Sequence, residues 1–351
     1  FYTTPRENKK GIEVNQRIIF KDTLKVIPYS LKKASKDFLD LELSKQGLDY
    51  EKKRSLKDEF TKEEKFYIYE DVFALKYLVK KLIIDGFHIG NKFVRFDKLT
   101  NSSQSLYDYK LTLLDDFYNK KNVFNDFEYF NEIDTILMRT NFHKSNTKEH
   151  IKADLLFKAI FPQLNYFVDG YLRHSYYGGL SMVDFNNVRR YENDNNKRGL
   201  VFDVNSLYPF IMKSRLLPVG NGVFKRTPYK EQNDLYKSCY PLYVQEIFIS
   251  DMKLKEGKVA FVQVKDRSDF NGREVIEENI NTLGEKVEIR LLLCNPLLEL
   301  LFENYDVTGY ELGSHIAYRG KKHLFDNYLD FWGEVKKTST GCNRAISKLR
   351  Q

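Results

Sequence analysis

The chain has 351 residues, of which 57 are Lys or Arg, 49 are Asp or Glu and 42% are hydrophobic, so its formal net charge is +8. This apolar content excludes a disordered chain, and the length predicts two or more packed units. The sequence has no run of eighteen apolar residues and no secretory signal, so we expect a soluble, cytoplasmic protein. The spacing of Cys239, Cys294 and Cys342 fits neither a zinc site nor a disulfide framework.

The positive charge is compatible with two interpretations. A surplus of eight is ordinary for a solvated surface. The 24 Tyr and 27 Phe residues interleave with basic steps, however, and such mixtures suit phosphate contacts combined with base stacking. An AT-rich genome would produce a similar composition, so composition alone leaves both interpretations open.

In the first half of the chain, Thr61-x-x-Glu64 is a capping box that predicts the start of a strong helix. Apolar residues recur at helical spacing over 63–84, and Gly86 closes the element. Residues 95–148 are polar, Asn-rich and weakly periodic, and we interpret them as an insertion or linker. A second helix over 148–161 ends at Pro162, where we expect a domain boundary.

The second half begins with a strand-like run, GLVFDV, over 199–204. A helix with the sequence SLYPFIMKSRLL follows and is expected to end at Pro218. Residues 221–315 mix short strand patterns with polar turns, which predicts an α+β element. A last amphipathic helix carries apolar residues from Leu324 to Val335 and has basic residues at its end. The sequence has no internal repeats.

Asp203 is the residue whose position points most directly to chemistry. A carboxylate at the end of a buried strand is costly to desolvate unless a cation or hydrogen bonds receive it. A strand-to-helix turn after it directs the N–H groups of Ser206 and Leu207 outward, which is a common way to bind phosphate. The alternative is that Asp203 simply caps the next helix.

The string DVNSLYP over 203–209, followed by RLLPVG, resembles motif A of family B DNA polymerases. The resemblance is strongest to the protein-primed subgroup of bacteriophages with linear genomes. Tyr176-x-Gly178-Gly179 is similar to the YxGG motif, which joins the exonuclease and polymerase domains of that subgroup and contacts the template strand.

Upstream segments resemble the exonuclease motifs of the same subgroup, in the same order along the chain. Tyr67-x-x-x-Asp71 is similar to the third exonuclease motif, in which the Asp binds a metal ion and the Tyr orients the attacking water. Lys45, in Lys-x-x-Leu, resembles a basic residue that assists that site. Thr23 and Leu24 resemble the Ser/Thr-Leu motif that holds the single-stranded primer end.

The resemblance also assigns the nucleotide site. It implies that Asp203 binds both ions of a two-metal Mg²⁺ (or Mn²⁺) site and that the Val204 carbonyl completes one shell. Tyr208 then lies under the deoxyribose and excludes a ribose 2′-hydroxyl. The triphosphate is held by the amides of Ser206 and Leu207 together with three basic residues, Lys336, Arg344 and Lys348. Arg344 stands where the family usually has Lys.

The fold implied by the resemblance is mixed α/β (α+β). It comprises the C-terminal part of a ribonuclease-H-like 3′–5′ exonuclease domain, followed by the start of a right-hand polymerase domain. The expected divisions are 1–94 for the exonuclease part, 95–165 for an insertion or connecting helical region, 166–220 for the YxGG linker and palm, 221–315 for an insertion that contacts the priming terminal protein, and 316–351 for the palm helix and the start of the fingers.

Some motifs of the family are missing from the sequence. The chain contains no DTD motif for the second polymerase carboxylate, and an upstream exonuclease Asp-x-Glu motif would precede residue 1. We therefore expect an internal fragment of a larger polymerase, inactive by itself. Its expected partners are template and primer DNA, dNTPs and a terminal protein, in the cytoplasm of a bacterial host. The alternatives are a non-catalytic remnant that binds single-stranded nucleic acid and a generic basic α+β binding protein.

Overall fold

The protein is described by a computed structural model. It describes the following residues: 2–7, 13–18, 23–43, 51, 55, 58–90, 92–98, 100–125, 127–176, 178–179, 202–204, 206–264, 268–270 and 275–351. The chain forms two compact units. The first unit combines Phe1–Asp115 with Phe325–Gln351, and the second unit is Asp116–Leu324.

The first unit is mainly helical. Its elements are β1 (Tyr2–Glu7), β2 (Glu13–Ile18), α1 (Thr23–Val26), α2 (Leu31–Leu39), α3 (Lys62–Val79, continued by a π-helical turn over Lys80–Asp85), β3 (Phe87–Ile89), β4 (Lys92–Val94), most of α4 (Asn101–Tyr118), α11 (Asp326–Thr338) and α12 (Gly341–Arg350). Strands β1 and β2 pair antiparallel, as do β3 and β4. Phe38, Phe87 and Phe96 form an edge-to-face cluster in its core, with ring centroids 6.0–6.4 Å apart.

The local sequence explains both ends of α3. Thr61 Oγ1 accepts a hydrogen bond from the Glu64 amide, and Glu64 Oε2 accepts one from the Thr61 amide. At the other end Gly86 has φ +69°, and a Cβ there would lie 2.5 Å from Phe93 Cζ. Only glycine meets both conditions without strain, so the chain turns at this point into β3. The predicted helix over 63–84 is confirmed.

The second unit is built on an antiparallel sheet. Its helices are α5 (Phe127–Met138), α6 (Glu149–Ile160), α7 (Tyr166–Arg173), α8 (Leu207–Ser214), α9 (Asp234–Cys239) and α10 (Asn295–Asn304). Its strands are β5 (Leu217–Lys225), β6 (Leu242–Leu254), β7 (Val262–Gln263), β8 (Val275–Ile276), β9 (Ile289–Cys294) and β10 (Tyr305–Lys321). The main sheet has the order β5-β10-β6-β9, and β7 pairs with β8.

Alternating apolar residues place the core of the second unit on one face of the main sheet. In β6 and β9, Ile247 pairs with Leu291 and Ile249 with Ile289, and all four are buried. Helix α10 follows β9 directly and buries Leu301 in the same cluster. This alternation is why the strand patterns within 221–315 could be predicted from the sequence.

Several sequence predictions are confirmed and others are wrong. The helix over 148–161 is α6, and the last amphipathic helix is α11. Residues 95–148, interpreted from the sequence as an insertion or linker, contain helices α4 and α5, which bury apolar residues such as Leu113 and Leu137. Their polar, solvent-facing sides masked the helical period. Helix α8 ends at Ser214, where Arg215 turns to extended backbone, and Pro218 lies four residues later, inside β5, so Pro218 does not end the helix.

The compact units divide after Asp115, inside α4, whereas the sequence placed a boundary at Pro162. The functional domain limits stay predictions. Within the described residues no helix has the length and apolar character needed to cross a membrane.

Candidate functional site

The segment around Asp203 lies open to solvent. Phe202 is 87% exposed, Val204 65% and Tyr208 82%, and Asp203 itself is exposed. The strand prediction is wrong for residues 202–204, which form no regular structure and pair with no strand of the described sheets; residues 199–201 lie outside the described residues. Because the Asp203 carboxylate is exposed, it does not require a cation or a hydrogen-bond donor from the protein, and a ligand can reach it from solvent.

The turn that leads from Asp203 into α8 has a distinct geometry. Ser206 adopts the left-handed conformation, with φ 55° and ψ 40°, and its carbonyl accepts the first helical hydrogen bond, from Phe210 N at 3.0 Å. The first residues of a helix have no intrahelical acceptor for their N–H groups, and Pro209 has no N–H. The amides of Leu207 and Tyr208 are therefore the helical donors at this end.

Helix α12 carries two of the predicted triphosphate ligands. Arg344 and Lys348 are four residues apart, so they share one face of α12, and both are exposed. On α11, Lys336 lies in the last turn and donates a hydrogen bond to Gln351 Oε1 at 3.1 Å. All three basic residues belong to the first unit, whereas Asp203 belongs to the second.

The opposite face of α12 is anchored by a buried ion pair that the sequence did not indicate. The Arg350 side chain is 0% exposed, and its Nε lies 2.6 Å from Asp108 Oδ2 on α4. Its guanidinium also stacks over the Phe96 ring and donates to Asn101 Oδ1 at 3.1 Å. Burial raises the pKa of the Asp108 carboxyl and lowers the pKa of the Arg350 guanidinium, and the ion pair opposes both shifts.

The last carbonyls of α12 are also bound. Asn101 Nδ2 and Ser105 Oγ donate to the Leu349 carbonyl at 2.7 and 3.1 Å, and Tyr328 Oη donates to the Arg350 carbonyl at 3.0 Å. The end of a helix leaves such carbonyls without partners. The α4 and α11 side chains satisfy them, and this fixes the orientation of the exposed face that carries Arg344 and Lys348.

The predicted YxGG segment follows α7 in the second unit. Tyr176 is 66% exposed, and Gly178 and Gly179 are also exposed. The Gly178 carbonyl accepts a hydrogen bond from Gln263 Nε2 at 2.9 Å. Burial, and to a smaller extent the neighbouring Tyr176, raises the pKa of Tyr318 to about 12.

The candidate exonuclease residues lie in the first unit. Tyr67 and Asp71 are one helical turn apart on α3, and both are half-buried. On α1, Thr23 is half-buried and Leu24 is exposed. Lys45 lies outside the described residues.

The predicted site for a divalent metal lies at residues 203 and 204. Asp203 and the Val204 carbonyl supply hard oxygen donors, which are the ligands that Mg²⁺ prefers. Nowhere in the described ranges do three or more His, Cys, Asp or Glu side chains gather as a metal cluster. The donor chemistry therefore fits Mg²⁺, but these residues make up only part of a coordination shell.

The order of these motifs agrees with a match between almost the whole chain and a known protein family. The sequence pattern of the family described as DNA polymerase type B, organellar and viral, matches residues 14–350. The chain belongs to this family. It is 29% identical to the DNA polymerase of Bacillus phage phi29 and 30% identical to that of Bacillus phage B103, in each case over 97% of the chain and 48% of the phage polymerase. The chain thus spans about half the length of these relatives.

Solved structures of phi29 DNA polymerase share the fold of this type B chain. The phi29 complex with primer-template DNA and incoming nucleotide substrates matches with a TM-score of 0.64 and 29% identity, over 94% of this chain and 47% of that one. The complex with single-stranded DNA matches with a TM-score of 0.65 and 27% identity, over 99% and 48%. The mixed α/β fold expected from the sequence is confirmed.

Proposed function

We propose that the chain provides the motif A portion of a protein-primed, DNA-directed DNA polymerase with an associated 3′–5′ exonuclease. The observation that carries this proposal is the exposed Asp203 carboxylate, which shortly precedes the turn at Ser206 and the first amide donors of α8. Family membership and the phage relatives support the same function.

Asp203 and the Val204 carbonyl would hold divalent metal ions. Such ions neutralise charge on the triphosphate and activate the primer hydroxyl. The chain's own contribution is to present the carboxylate in solvent reach and to bring the Leu207 amide, at the start of α8, to phosphate oxygens. The resemblance assigns the Ser206 amide to the same phosphates. Tyr208 projects its ring from the first turn of α8, where it would contact the sugar and exclude a 2′-hydroxyl.

Lys336, Arg344 and Lys348 would neutralise the triphosphate. Arg344 offers a planar, bidentate donor where a lysine offers a point charge, so its contact depends more on orientation. The buried anchor of α12 supplies that orientation, because it fixes the helix face on which Arg344 lies.

Two further assignments rest on the resemblance to the protein-primed subgroup. Tyr67 and Asp71, with Lys45, would act in the exonuclease, and Thr23 and Leu24 would hold the primer end there. Residues 221–315 would contact a terminal protein, and the exposed residues Tyr176, Gly178 and Gly179 would contact the template strand.

A second candidate function is non-catalytic binding of single-stranded nucleic acid. It is favoured by the observation that, within the described ranges, Asp203 belongs to no cluster of three or more potential metal ligands. Both candidates predict salt-sensitive DNA binding, because both rely on phosphate contacts. Metal-dependent synthesis distinguishes them.

Synthesis is the first test. The 351-residue chain alone should not extend a primer in Mg²⁺ and dNTPs, since its sequence has no DTD motif to supply a second carboxylate, and measurable extension by the purified chain would contradict this assignment. In a longer protein that adds a DTD carboxylate, Asp203→Ala should abolish synthesis and spare exonuclease activity, and Asp71→Ala should do the reverse. A longer protein that never synthesises DNA would favour the binding remnant.

Nucleotide binding by the chain itself is the second test. Titration of a fluorescent dNTP should show weaker binding for Arg344→Ala and Lys348→Ala, by about three- to tenfold each for a lost charge-assisted contact. Lys148→Ala is the matched control, because Lys148 is an exposed lysine in the second unit before α6. Equal losses in all three variants would show that only overall charge matters.

A further inference from the structure

The solvent side of helix α3 carries a row of aromatic side chains that no predicted motif explains. The rings of Tyr69 and Phe73 stack with centroids 5.3 Å apart at an interplanar angle of 26°, and the Tyr77 ring lies 4.6 Å from that of Phe73. Tyr69 is 61% exposed, and Phe73 and Tyr77 are also exposed. The row therefore presents aromatic rings to solvent over about two helical turns.

The charged side chains of α3 are sorted around this row. Residues 62–80 contain four lysines and four carboxylates, so this segment as a whole is neutral. Successive residues of a helix are turned by about 100°, which gives each side chain a direction relative to the midpoint between Tyr69 and Phe73. The lysines lie within about 60° of that midpoint: Lys62, Lys65, Lys76 and Lys80. The carboxylates lie about 80° or more away from it: Glu63, Glu64, Glu70 and Asp71. The aromatic face therefore carries only positive charge.

The lysines of this face can be reached from solvent. All four are exposed, and Lys80, where the π-helical turn begins, keeps helical backbone angles of φ −58° and ψ −51°. Lys65 Nζ lies 3.9 Å from Glu59 Oε2, and Lys80 Nζ lies 4.0 Å from Asp85 Oδ2. Exposed ion pairs of this kind contribute little free energy, so another anion can replace them.

The face points away from the candidate exonuclease residues. Tyr67 and Asp71 lie about 140° and 180° from the aromatic row, on the side of α3 that also carries the buried Ala74 and Leu78. A ligand that contacts the row is therefore on the other side of the helix from the exonuclease site proposed above.

We propose that the aromatic and lysine face of α3 is a binding surface for single-stranded nucleic acid, separate from the exonuclease site. Unpaired bases stack on the Tyr69, Phe73 and Tyr77 rings, and the lysines contact the phosphates. Surfaces that bind single strands without sequence preference combine aromatic stacking with a line of positive charge in this way. A helix that lies in a membrane interface keeps its lysines and its apolar residues on opposite faces, whereas α3 interleaves them on one face, which favours nucleic acid over anionic lipid.

Fluorescence anisotropy on the full 351-residue chain tests the proposal with two labelled probes of about ten nucleotides, a length within the usual range of single-strand sites. One probe is oligo(dT), and the other has abasic sites in place of its thymines, so it keeps the phosphates without the bases. Oligo(dT) should bind more tightly, by on the order of tenfold, because stacking of bases adds to the phosphate contacts. Equal affinities for the two probes would overturn the proposal.

A double variant locates the stacking surface. Tyr69→Leu with Phe73→Leu keeps apolar bulk and removes the rings, so the preference for oligo(dT) over the abasic probe should disappear. The matched control is Tyr166→Leu with Phe167→Leu on α7, where two aromatic residues are 86% and 84% exposed, and it should keep the preference. Lys76→Gln should weaken both probes alike and reduce the dependence of binding on salt. A preference that survives in the α3 variant, or that both double variants lose equally, would refute the site.

Crosslinking of the wild-type chain gives a readout that does not depend on any variant being folded. Oligonucleotides that carry 5-bromodeoxyuridine should crosslink on irradiation to Tyr69, Phe73 or Tyr77, as located by mass spectrometry. Crosslinks confined to other residues would overturn the proposal.

Vesicles that contain phosphatidylserine test the other class of partner. Co-sedimentation that the α3 double variant loses, together with an unchanged preference for oligo(dT), would assign the face to an anionic lipid surface and overturn the proposal.

The inference goes beyond the proposed polymerase function, and the two can fail separately. Its readouts need neither metal nor dNTP, so failure of the dNTP titration would leave it standing. Loss of the α3 assignment would likewise leave the nucleotide site standing.

Discussion

Helices α8 and α12 carry the two sets of candidate nucleotide ligands, and they are supported in opposite ways. Helix α8 buries none of its residues, and Tyr208 at its start is 82% exposed. Helix α12 buries Ala345, Ile346, Ser347, Leu349 and Arg350 and ends on a bound set of carbonyls. Most helical stability in proteins comes from packing, so the two elements should differ strongly in their contribution to stability.

This difference separates two ways of preparing a binding site. The cations of α12 are presented by a helix whose orientation is fixed before a ligand arrives, which lowers the cost of ordering on binding. The candidate ligand groups near α8 are instead set by a single backbone turn at Ser206, with exposed apolar neighbours such as Phe202.

The largest expected effect comes from the buried ion pair of α12. Asp108→Ala leaves the Arg350 guanidinium buried without a counter-charge, and should lower the free energy of unfolding by about 3–5 kcal/mol. The double variant Asp108→Leu with Arg350→Met should recover most of that loss, because an apolar pair removes the cost of burying both charges. Urea denaturation measures the free energy of unfolding of the single and the double variant. A double variant as unstable as Asp108→Ala would show that the pair itself, and not the orphaned charge, stabilises α12.

In the second unit, which also contains α8, a contact for comparison with the α12 ion pair is made by Glu246 in the main sheet. Glu246 accepts hydrogen bonds from Ser314 Oγ at 2.7 Å and Arg290 Nε at 2.7 Å. Burial alone would raise its pKa, but the bonds from Ser314 and Arg290 outweigh burial and lower the pKa below the ordinary 4.5. Glu246→Gln should cost about 1.5–3 kcal/mol at neutral pH, since hydrogen bonds to charged groups are worth about that much.

The sign of the pH dependence follows from the lowered pKa of Glu246. The folded protein holds this proton less tightly than the unfolded chain, so the stabilisation is fully present above pH 4.5 and is lost as the pH falls through the folded-state pKa. The difference in free energy of unfolding between the wild type and Glu246→Gln, measured by denaturation, should therefore become smaller below pH 4.5. A difference that is constant from pH 7 to pH 3 would contradict the assignment.

A smaller effect is expected at the end of α12. Tyr328→Phe removes the hydroxyl that donates to the Arg350 carbonyl, and should cost about 1 kcal/mol, the typical net value of one hydrogen bond. Tyr208→Phe is the matched control on α8 and should cost nothing measurable. If both variants lost the same stability, the contrast between the two helices would be wrong.

The contrast also explains what could be predicted from the sequence. The capping box of α3 and the alternation in β6 and β9 are local signals, so those elements were predicted. The exposure of Asp203 could not be predicted, because a short apolar run is buried only if another strand pairs with it. The Asp108–Arg350 pair joins positions 242 residues apart, and nothing near either residue signals the other.

The smallest expected effect on stability, and the most specific on function, is that of Tyr208→Ala. The ring is almost fully exposed, so its removal should change the free energy of unfolding by less than about 0.5 kcal/mol. If Tyr208 contacts the sugar, the same variant should weaken the preference for dNTP over rNTP in the nucleotide-binding titration, by a larger factor than Phe210→Ala, an exposed aromatic two residues along α8. Equal effects of the two variants on sugar preference would mean that the exposed surface of α8, rather than Tyr208, meets the nucleotide. A large loss of stability in Tyr208→Ala would mean instead that α8 is packed, and the difference from α12 would then fail.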